Sequence, residues 1–585
     1  MLILALLVVL LGVSGFFGLK LYSEAKQVKA HEEQAIQLLG GVTDLSNLDN
    51  LDTVSQQISQ AKTETAAANE IAHDTLWNIA SKAPVYGGDI TTVQGMTSVV
   101  DSLVSDSVPQ FMDVLSTLKS AQLSSGDGQL NLQPILEAQK NIATANQSLQ
   151  QQVQKYQQLP KAHIGMVKNA YATGNTQLTK MADKVNQLSG TFQILPDFLG
   201  SDQPRTYALM AMTTSEERSS GGLIGSVGVV TTDNGKINIG DFRSNGEYIP
   251  YGAGDPTEDE QRIFQQWGPL NMSFDVRDLA VYPDTSRSAE GMRAIWQRTP
   301  WGSNTQLDGV LMVDPVFLQE LTKISGNVTI PDGTVLTGDN TAEFLLNKVY
   351  VDYPVSMQDA LFAQVAEQAV GSMFSNIDLA KLTKVAQLMG SMAEGRHFSM
   401  YAFDETAEKT ISDAGFTAQT PSSEEHPQVG VYVTEQNPSK MGWYIHRTSK
   451  VTRSTCGNDG SQTYHVEYKM TNTLENSQIG ALTSYILGSG GQGVEKTLIY
   501  APAGGSISNL KTSGGSVTES RQETLNGKTV YASNATIAPG ESVTYSFDVT
   551  TSTKAVSDLT IDQTPMGWID SGVTTDTAAC SINKQ

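Results

Sequence analysis

The hydrophobic rhythm of the chain changes along its length, and each rhythm predicts a different kind of element. Met1–Leu19 is apolar, with no charge until Lys20. About 20 apolar residues span a bilayer as a helix, so this stretch predicts a transmembrane anchor over residues 1–22. Between Glu24 and Leu195, apolar or small residues recur three and four apart, as at Ile58, Ala61, Thr65, Ala68, Ala72 and Leu76. That spacing is helical. Breaks at Gly40-Gly41, Ala83–Gly88 and Ser124–Gly128, with Pro160 opening the last segment, divide residues 23–196 into a bundle of about four or five helices.

Past residue 196 the rhythm is mixed. Tyr207–Met212 and Leu223–Val230 read as strands. Asp233-Asn234-Gly235 turns the second into Lys236–Gly240, because Asn and Gly tolerate the positive φ of tight hairpins. Val310–Val313 reads as a buried strand, and Ser286–Gln297, Val316–Ser325, Thr337–Val349 and Gln358–Met373 as helices. Strands alternating with helices predict a three-layer α/β core over residues 197–414. From Val429 the period becomes two: Val429, Val431, Val433; Tyr464, Val466, Tyr468; Val543, Tyr545, Phe547, Val549. That alternation predicts a β-sandwich over residues 428–585.

Composition narrows the function classes. The 585 residues exceed one hydrophobic core. With 61 acidic against 38 basic residues the net charge is −23, a field that repels phosphate backbones and excludes nucleic acid as a partner. The 2 cysteines and 7 scattered histidines offer no zinc-site spacing. The apolar N-terminus lacks the basic flank of a signal peptide, so an uncleaved single-pass anchor in the plasma membrane is expected, preceded by a short leader, with the bulk extracytoplasmic. In that oxidising setting Cys456 and Cys580 read as one disulfide.

Candidate chemistry gathers around two strand ends. Glu216, Glu217 and Arg218 precede Gly221-Gly222, and Asp241, Arg243 and Glu247 follow the hairpin. Glu216, Arg218, Gly221, Gly222, Asp241 and Arg243 are the candidate ligand-binding residues. A glycine pair lets backbone N–H groups approach a phosphate, and arginines grip anions with a two-pronged fork. The structural alternative is that Arg218 pairs with Glu216 or Asp241 and locks the sheet. Asp308 and Asp314 flank a strand but stand before Gly and Pro, which is turn chemistry. There is no phosphate-binding or nucleophile-elbow motif, and Gly488–Gly493 reads as a loop within the sandwich.

Glu216-x-Arg218-x-x-Gly221-Gly222-x-Ile224-Gly225 resembles the signature of the domain of unknown function 4012 family, membrane-anchored proteins of Gram-positive bacteria. That family usually has Asn-Asn before the Glu and Phe after the glycine pair, where this chain has Thr213, Thr214 and Leu223. The order of strands, Asp308–Asp314 and the following helices is also similar to LytR-CpsA-Psr transferases. This resemblance implies a core that binds a cell-wall glycopolymer or its lipid-pyrophosphate carrier, with Arg218 and Arg243 at the arginine positions. An active phosphotransferase would need magnesium, held by Glu217, Asp241 or Asp275, since the aspartate expected near Gly221-Gly222 is absent. Val349–Gln358 also lacks the arginines of those enzymes. The third reading is a structural scaffold or adhesin.

Overall fold

The computed structural model describes residues 2–40, 51–126, 128–373, 376–518 and 520–577. It divides into two compact units. One is Met1–Gly126, Leu130–Pro196 and Asn376–Gln387; the other is Asp127–Gln129, Asp197–Ser375 and Leu388–Gln585.

The first unit is helical. Its long members are Leu2–Gly40, Leu51–Ala72, Gly87–Ser102 running on into Val108–Ser120, Gln133–Gln157, and the greater part of Gly165–Phe198. Ile58, Ala61, Thr65, Ala68 and Ala72 form a buried stripe. The stripe ends at Trp77, which packs with Val28, Ala68 and Ala72, while Leu76 stays half-buried.

The expected anchor is corrected. Among the described residues, no helix is long and apolar enough to cross a membrane. The described side chains of the first helix begin at Gly18 and soon include Lys20, Glu24, Lys26, Lys29, Glu32 and Glu33. Ion pairs Lys20–Glu24 and Lys29–Glu33 run along it, and such charges are costly in hydrocarbon. The side chains of residues 2–17 lie outside those described. The single-pass plasma-membrane placement and the membrane partner are therefore unsupported, and the fold class is mixed α/β with several sheets. The expected Cys456–Cys580 bridge involves Cys580, which lies outside the described residues.

The second unit is built on sheets. Its first sheet contains β1 (Arg205–Arg218), β2 (Gly221–Asp233), β3 (Lys236–Ile239), β4 (Arg243–Ser244), β5 (Gly309–Val313) and β6 (Phe398–Ala402). Their order is β6-β5-β1-β2-β3, with β4 also on β2; β1 and β5 are parallel and the rest antiparallel. The β2–β3 turn has Asn234 at φ 44° and Gly235 at φ 86°, the left-handed pair that a tight hairpin demands. Ala208, Met210, Met212, Val310 and Met312 share a core with Leu279, Met292, Ile295 and Trp296.

The same core takes in Tyr432, Leu498, Tyr500 and Val530 from the C-terminal sandwich. That sandwich contains β7 (Gln428–Glu435), β8 (Ile445–Cys456), β9 (Gln462–Asn472), β10 (Gly493–Tyr500), β11 (Ser506–Ser513), β12 (Ser516–Val517), β13 (Arg521–Leu525), β14 (Lys528–Ile537), β15 (Ser542–Thr550), β16 (Thr560–Gln563) and β17 (Val573–Asp576). One sheet runs β12-β14-β10-β7-β16, with β13 on β14; the other runs β11-β15-β9-β8-β17. Between them Val429, Val431, Val433, Tyr464, Val466, Tyr468, Val543, Tyr545, Phe547 and Val549 form the interior. The opposite face of β7 and β10 supplies Tyr432, Leu498 and Tyr500 to the α/β core, so one sheet is buried on both sides.

Candidate functional site

The strand that sequence reasoning ended at Met212 continues to Arg218, and β2 begins at Gly221. Glu216, Glu217 and Arg218 therefore lie within a strand rather than beyond its end. The pairing shifts between Thr213↔Leu223 and Glu217↔Gly222, so Thr214, Ser215 and Glu216 bulge out. Gly222 makes that bulge possible. A Cβ there would stand 1.9 Å from the Thr213 carbonyl oxygen. Gly221, at φ 149°, carries the chain out of the Ser219-Ser220 turn. The glycine pair thus accommodates this protein's own backbone.

Each charge on and just after the bulge has a partner. Arg218 donates from Nε and Nη2 to Asp278 Oδ1 at 3.0 and 2.9 Å, and from Nη1 to the Glu217 carbonyl at 3.0 Å. Asp278 Oδ2 accepts from the Ser273 amide and hydroxyl, both at 2.8 Å. Burial works against the Asp278 charge, but Arg218 and Ser273 outweigh it and hold its pKa below the usual range. Glu216 pairs with Lys440, whose ammonium lies over the rings of Tyr350 and Tyr485 at 4.4 and 5.0 Å. Glu217 pairs with Arg447 at 3.0 Å, and both side chains are buried. Arg447 also donates to the carbonyls of Thr564 and Pro565 at 2.9 and 2.7 Å. Burial pushes the Glu217 carboxyl up to about 7, an effect that Arg447 only partly offsets.

The bulge is seated in the sandwich. Gly442, in the short helix Met441–Tyr444 before β8, lies so close that a Cβ would stand 2.6 Å from the Thr214 carbonyl oxygen. Lys440, Arg447 and the buried Glu435 of β7 were missed by sequence reasoning. A signal for two of them was present: Glu435 extends the inward series Val429, Val431, Val433, and Arg447 sits between inward Ile445 and inward Ser449. A charge at an inward strand position requires a buried partner.

The other candidates stand apart. Arg243 faces Val227 across β2, whereas Arg218 faces Gly221. Six residues of strand separate those positions, roughly 20 Å. Arg243 lies over the Trp301 ring at 4.3 Å and pairs with Glu247 at 3.0 Å, half-exposed. Asp241 is exposed. Asp275 caps the helix Val276–Val281 and pairs with Arg277. Asp308 accepts from the Thr206 amide at 2.7 Å. Asp314 caps Pro315–Ser325 and bonds His397 Nδ1 at 2.6 Å. Among the described residues, no three His, Cys, Asp or Glu side chains are placed to hold a metal ion. A separate open cleft of about 400 Å³ is lined by Tyr401, Phe403, Glu408, Ser412, Thr417 and Gln419, among others.

Residues 202–350 match the family model described as a protein of unknown function (DUF4012), which supports the family read from the Glu-x-Arg-x-x-Gly-Gly signature. No curated protein matches the chain, and no solved structure does.

Proposed function

We propose that the chain is a non-catalytic scaffold, in which the signature of the family segment joins two sheets rather than forming a transferase centre. The observation that supports this is the internal pairing of every charged signature residue: Glu216 with Lys440, Glu217 with Arg447, Arg218 with Asp278. A pyrophosphate at Arg218 would have to displace Asp278 from a buried ion pair, at a cost of about 3–5 kcal/mol. The phosphotransferase alternative, drawn from the likeness to LytR-CpsA-Psr enzymes, needs arginines that converge on one anion, and Arg243 is held elsewhere. The test is calorimetric titration of the full chain with a soluble lipid-pyrophosphate analogue and magnesium, alongside Arg218→Lys. No binding heat in either protein, with a lower melting temperature in the variant, is expected. Binding by the wild type that disappears in a variant of unchanged melting temperature would overturn the proposal.

A second reading is favoured by the cleft beside β6. Two aromatic side chains, Tyr401 and Phe403, stand among polar and charged ones such as Glu408, Ser412, Thr417 and Gln419 around a space of about 400 Å³, a mixture of stacking faces and hydrogen-bonding groups suited to a segment of a sugar polymer. Saturation-transfer NMR with neutral oligosaccharides tests it. Contacts that vanish in Tyr401→Ala support this reading, and their absence in the wild type removes it.

A further inference from the structure

Next to the paired charges lie two acids with no base. Glu435 and Glu495 stand directly opposite each other in the antiparallel β7–β10 ladder. Directly opposed residues have Cβ atoms about 5 Å apart, and like charges there repel. Both are fully buried and point into the sandwich interior, since Val433, two residues before Glu435, belongs to that core. Glu435 Oε1 accepts from the Ser439 hydroxyl. Neither carboxylate oxygen of Glu495 has a hydrogen-bond partner, and the buried Oε2 of Glu217 has none either.

The surrounding charges are fully accounted for. The β1 bulge contributes Glu216, Glu217 and Arg218, which pair with Lys440, Arg447 and Asp278. The facing sheet contributes Arg447 on β8, Tyr468 on β9 and Tyr545 on β15. Across the sheet, Glu495 is flanked on its other side by Ala535 of β14. Lys496 points to the opposite face, where it donates to the carbonyls of Ile263 and Trp267. Every base that faces the pair is therefore already matched by another acid, and Lys496, on the opposite face, by carbonyl oxygens. Two ionised carboxylates here would be buried, adjacent and uncompensated, an arrangement that proteins avoid by keeping the proton.

We propose that Glu435 and Glu495 are a protonated carboxylic-acid pair that acts as an alkali-sensitive catch, closing the seat of the β1 bulge in the sandwich and releasing it when the pair ionises. Burial raises the affinity of both acids for protons well above the ordinary glutamate range; the charges of Glu216 and Glu217 add to it at Glu435 and those of Glu217 and Glu435 at Glu495, and the Ser439 hydroxyl, Arg218 and Arg447 offset only part of it. The sign follows. A raised folded pKa means that the folded state holds more protons than the unfolded chain above about pH 4.5. The stabilisation is complete below that pH and is lost as pH rises through the folded values, by at most about tenfold in the unfolding constant per pH unit per acid. Glu217 shares this sign but is spent by about pH 7. Lys496 has the opposite sign, so the catch is read as a difference between proteins at one pH. The inference rests on the geometry of the pair and does not require the scaffold reading.

The experiment compares the full chain with Glu435→Gln/Glu495→Gln, which fixes both side chains in a neutral, isosteric form. Melting temperature is followed from pH 5 to pH 10, with hydrogen exchange at Ser219–Leu223 corrected for intrinsic base catalysis. The wild type should lose melting temperature relative to the variant as pH rises, and its bulge should exchange faster. Parallel pH profiles would overturn the proposal. Should the double variant fail to fold, proton release on unfolding of the wild type at pH 7, measured in buffers of different ionisation enthalpy, decides the matter. Release of more protons than Glu32, Glu217 and Glu408 account for, after the uptake by Lys496 is added back, supports the pair, and no excess release overturns it. A third arm adds calcium or magnesium at pH 8. A cation-dependent rise in melting temperature that is absent from the variant would show the pair to be a cation site, which also overturns the proton catch.

Discussion

Arg218→Met strips a buried carboxylate of its fork while keeping most of the side-chain volume. Asp278 would lose the two bonds to its Oδ1 and retain those from Ser273 to its Oδ2. Arg218 and Asp278 have side chains only 6% and 10% exposed, so water does not replace the lost partner. Breaking a buried pair from one side costs about 3–5 kcal/mol, and the surviving Ser273 bonds argue for about 3. Urea unfolding read by tryptophan fluorescence suits the measurement. Trp267, Trp296, Trp301, Trp443 and Trp568 all lie in the unit that contains Arg218, and only Trp77 lies in the other. With a urea slope of about 3 kcal/mol/M, the midpoint should fall by about 1 M. Adding Asp278→Asn should restore part of the loss, since the stranded charge is then gone. Asp278 has a lowered pKa in the fold, so its contribution is present above the unfolded value near about 3.9 and is lost as pH falls through the folded value. The acid limb of wild-type stability should therefore flatten in Arg218→Met. A loss under about 1 kcal/mol, typical of an exposed pair, or a double variant no better than the sum of its parts, would refute the reasoning.

Gly222→Ala should abolish folding of the second unit or lower its melting temperature sharply, because the new Cβ would stand 1.9 Å from the Thr213 oxygen, whereas Gly225→Ala, whose nearest neighbour is 3.9 Å away, should be close to neutral; thermal melts of both variants check this. Glu217→Gln should remove a fall in stability of about 3 kcal/mol between pH 4.5 and pH 7, the span over which the raised folded pKa of Glu217 operates, as seen in urea midpoints across that range. Lys496 has its pKa lowered to about 7 by burial, so the wild type should gain stability over Lys496→Met as pH rises from 7 towards 10; equal pH profiles would contradict the burial of that ammonium.

What could be read from the sequence was set by local rules. The Asn234-Gly235 turn needs nothing beyond the φ tolerance of its two residues, and it forms as read. The inward series of β15, Val543, Tyr545, Phe547 and Val549, follows from a period of two. The buried stripe from Ile58 to Ala72 follows from a period near 3.6. The apolar opening stretch suggested an anchor ending near residue 22 and the helical spacing after Glu24 a separate bundle helix ending at Gly40, whereas the two run on as one helix, Leu2–Gly40. The candidate site was placed in the right segment and given the wrong role. Arg218 is matched by Asp278, 60 residues away, and Glu217 by Arg447, in another sheet. Pairings of that range obey tertiary packing, which no short window of sequence contains.

Gly222 ties these observations into one mechanism for the motif. The absence of a side chain there lets Thr213 and Thr214 cross over β2, and the crossing forces the bulge. The bulge breaks the strict alternation of β1, which would otherwise send Glu216 and Glu217 to opposite faces of a flat strand. With the bulge in place, Glu216 reaches Lys440 and Glu217 reaches Arg447, both carried by the sandwich, while Arg218 turns back to Asp278 in its own domain. One small residue thus sets the register of three ion pairs. The glycine, the two acids and the arginine are consequently a single structural unit, readable as a motif because none of its members works without the others. A phosphate-binding loop would need the same residue types but would leave the arginine fork and the backbone amides open to a ligand. Here the fork is closed on Asp278, and the glycine faces the carbonyl of Thr213.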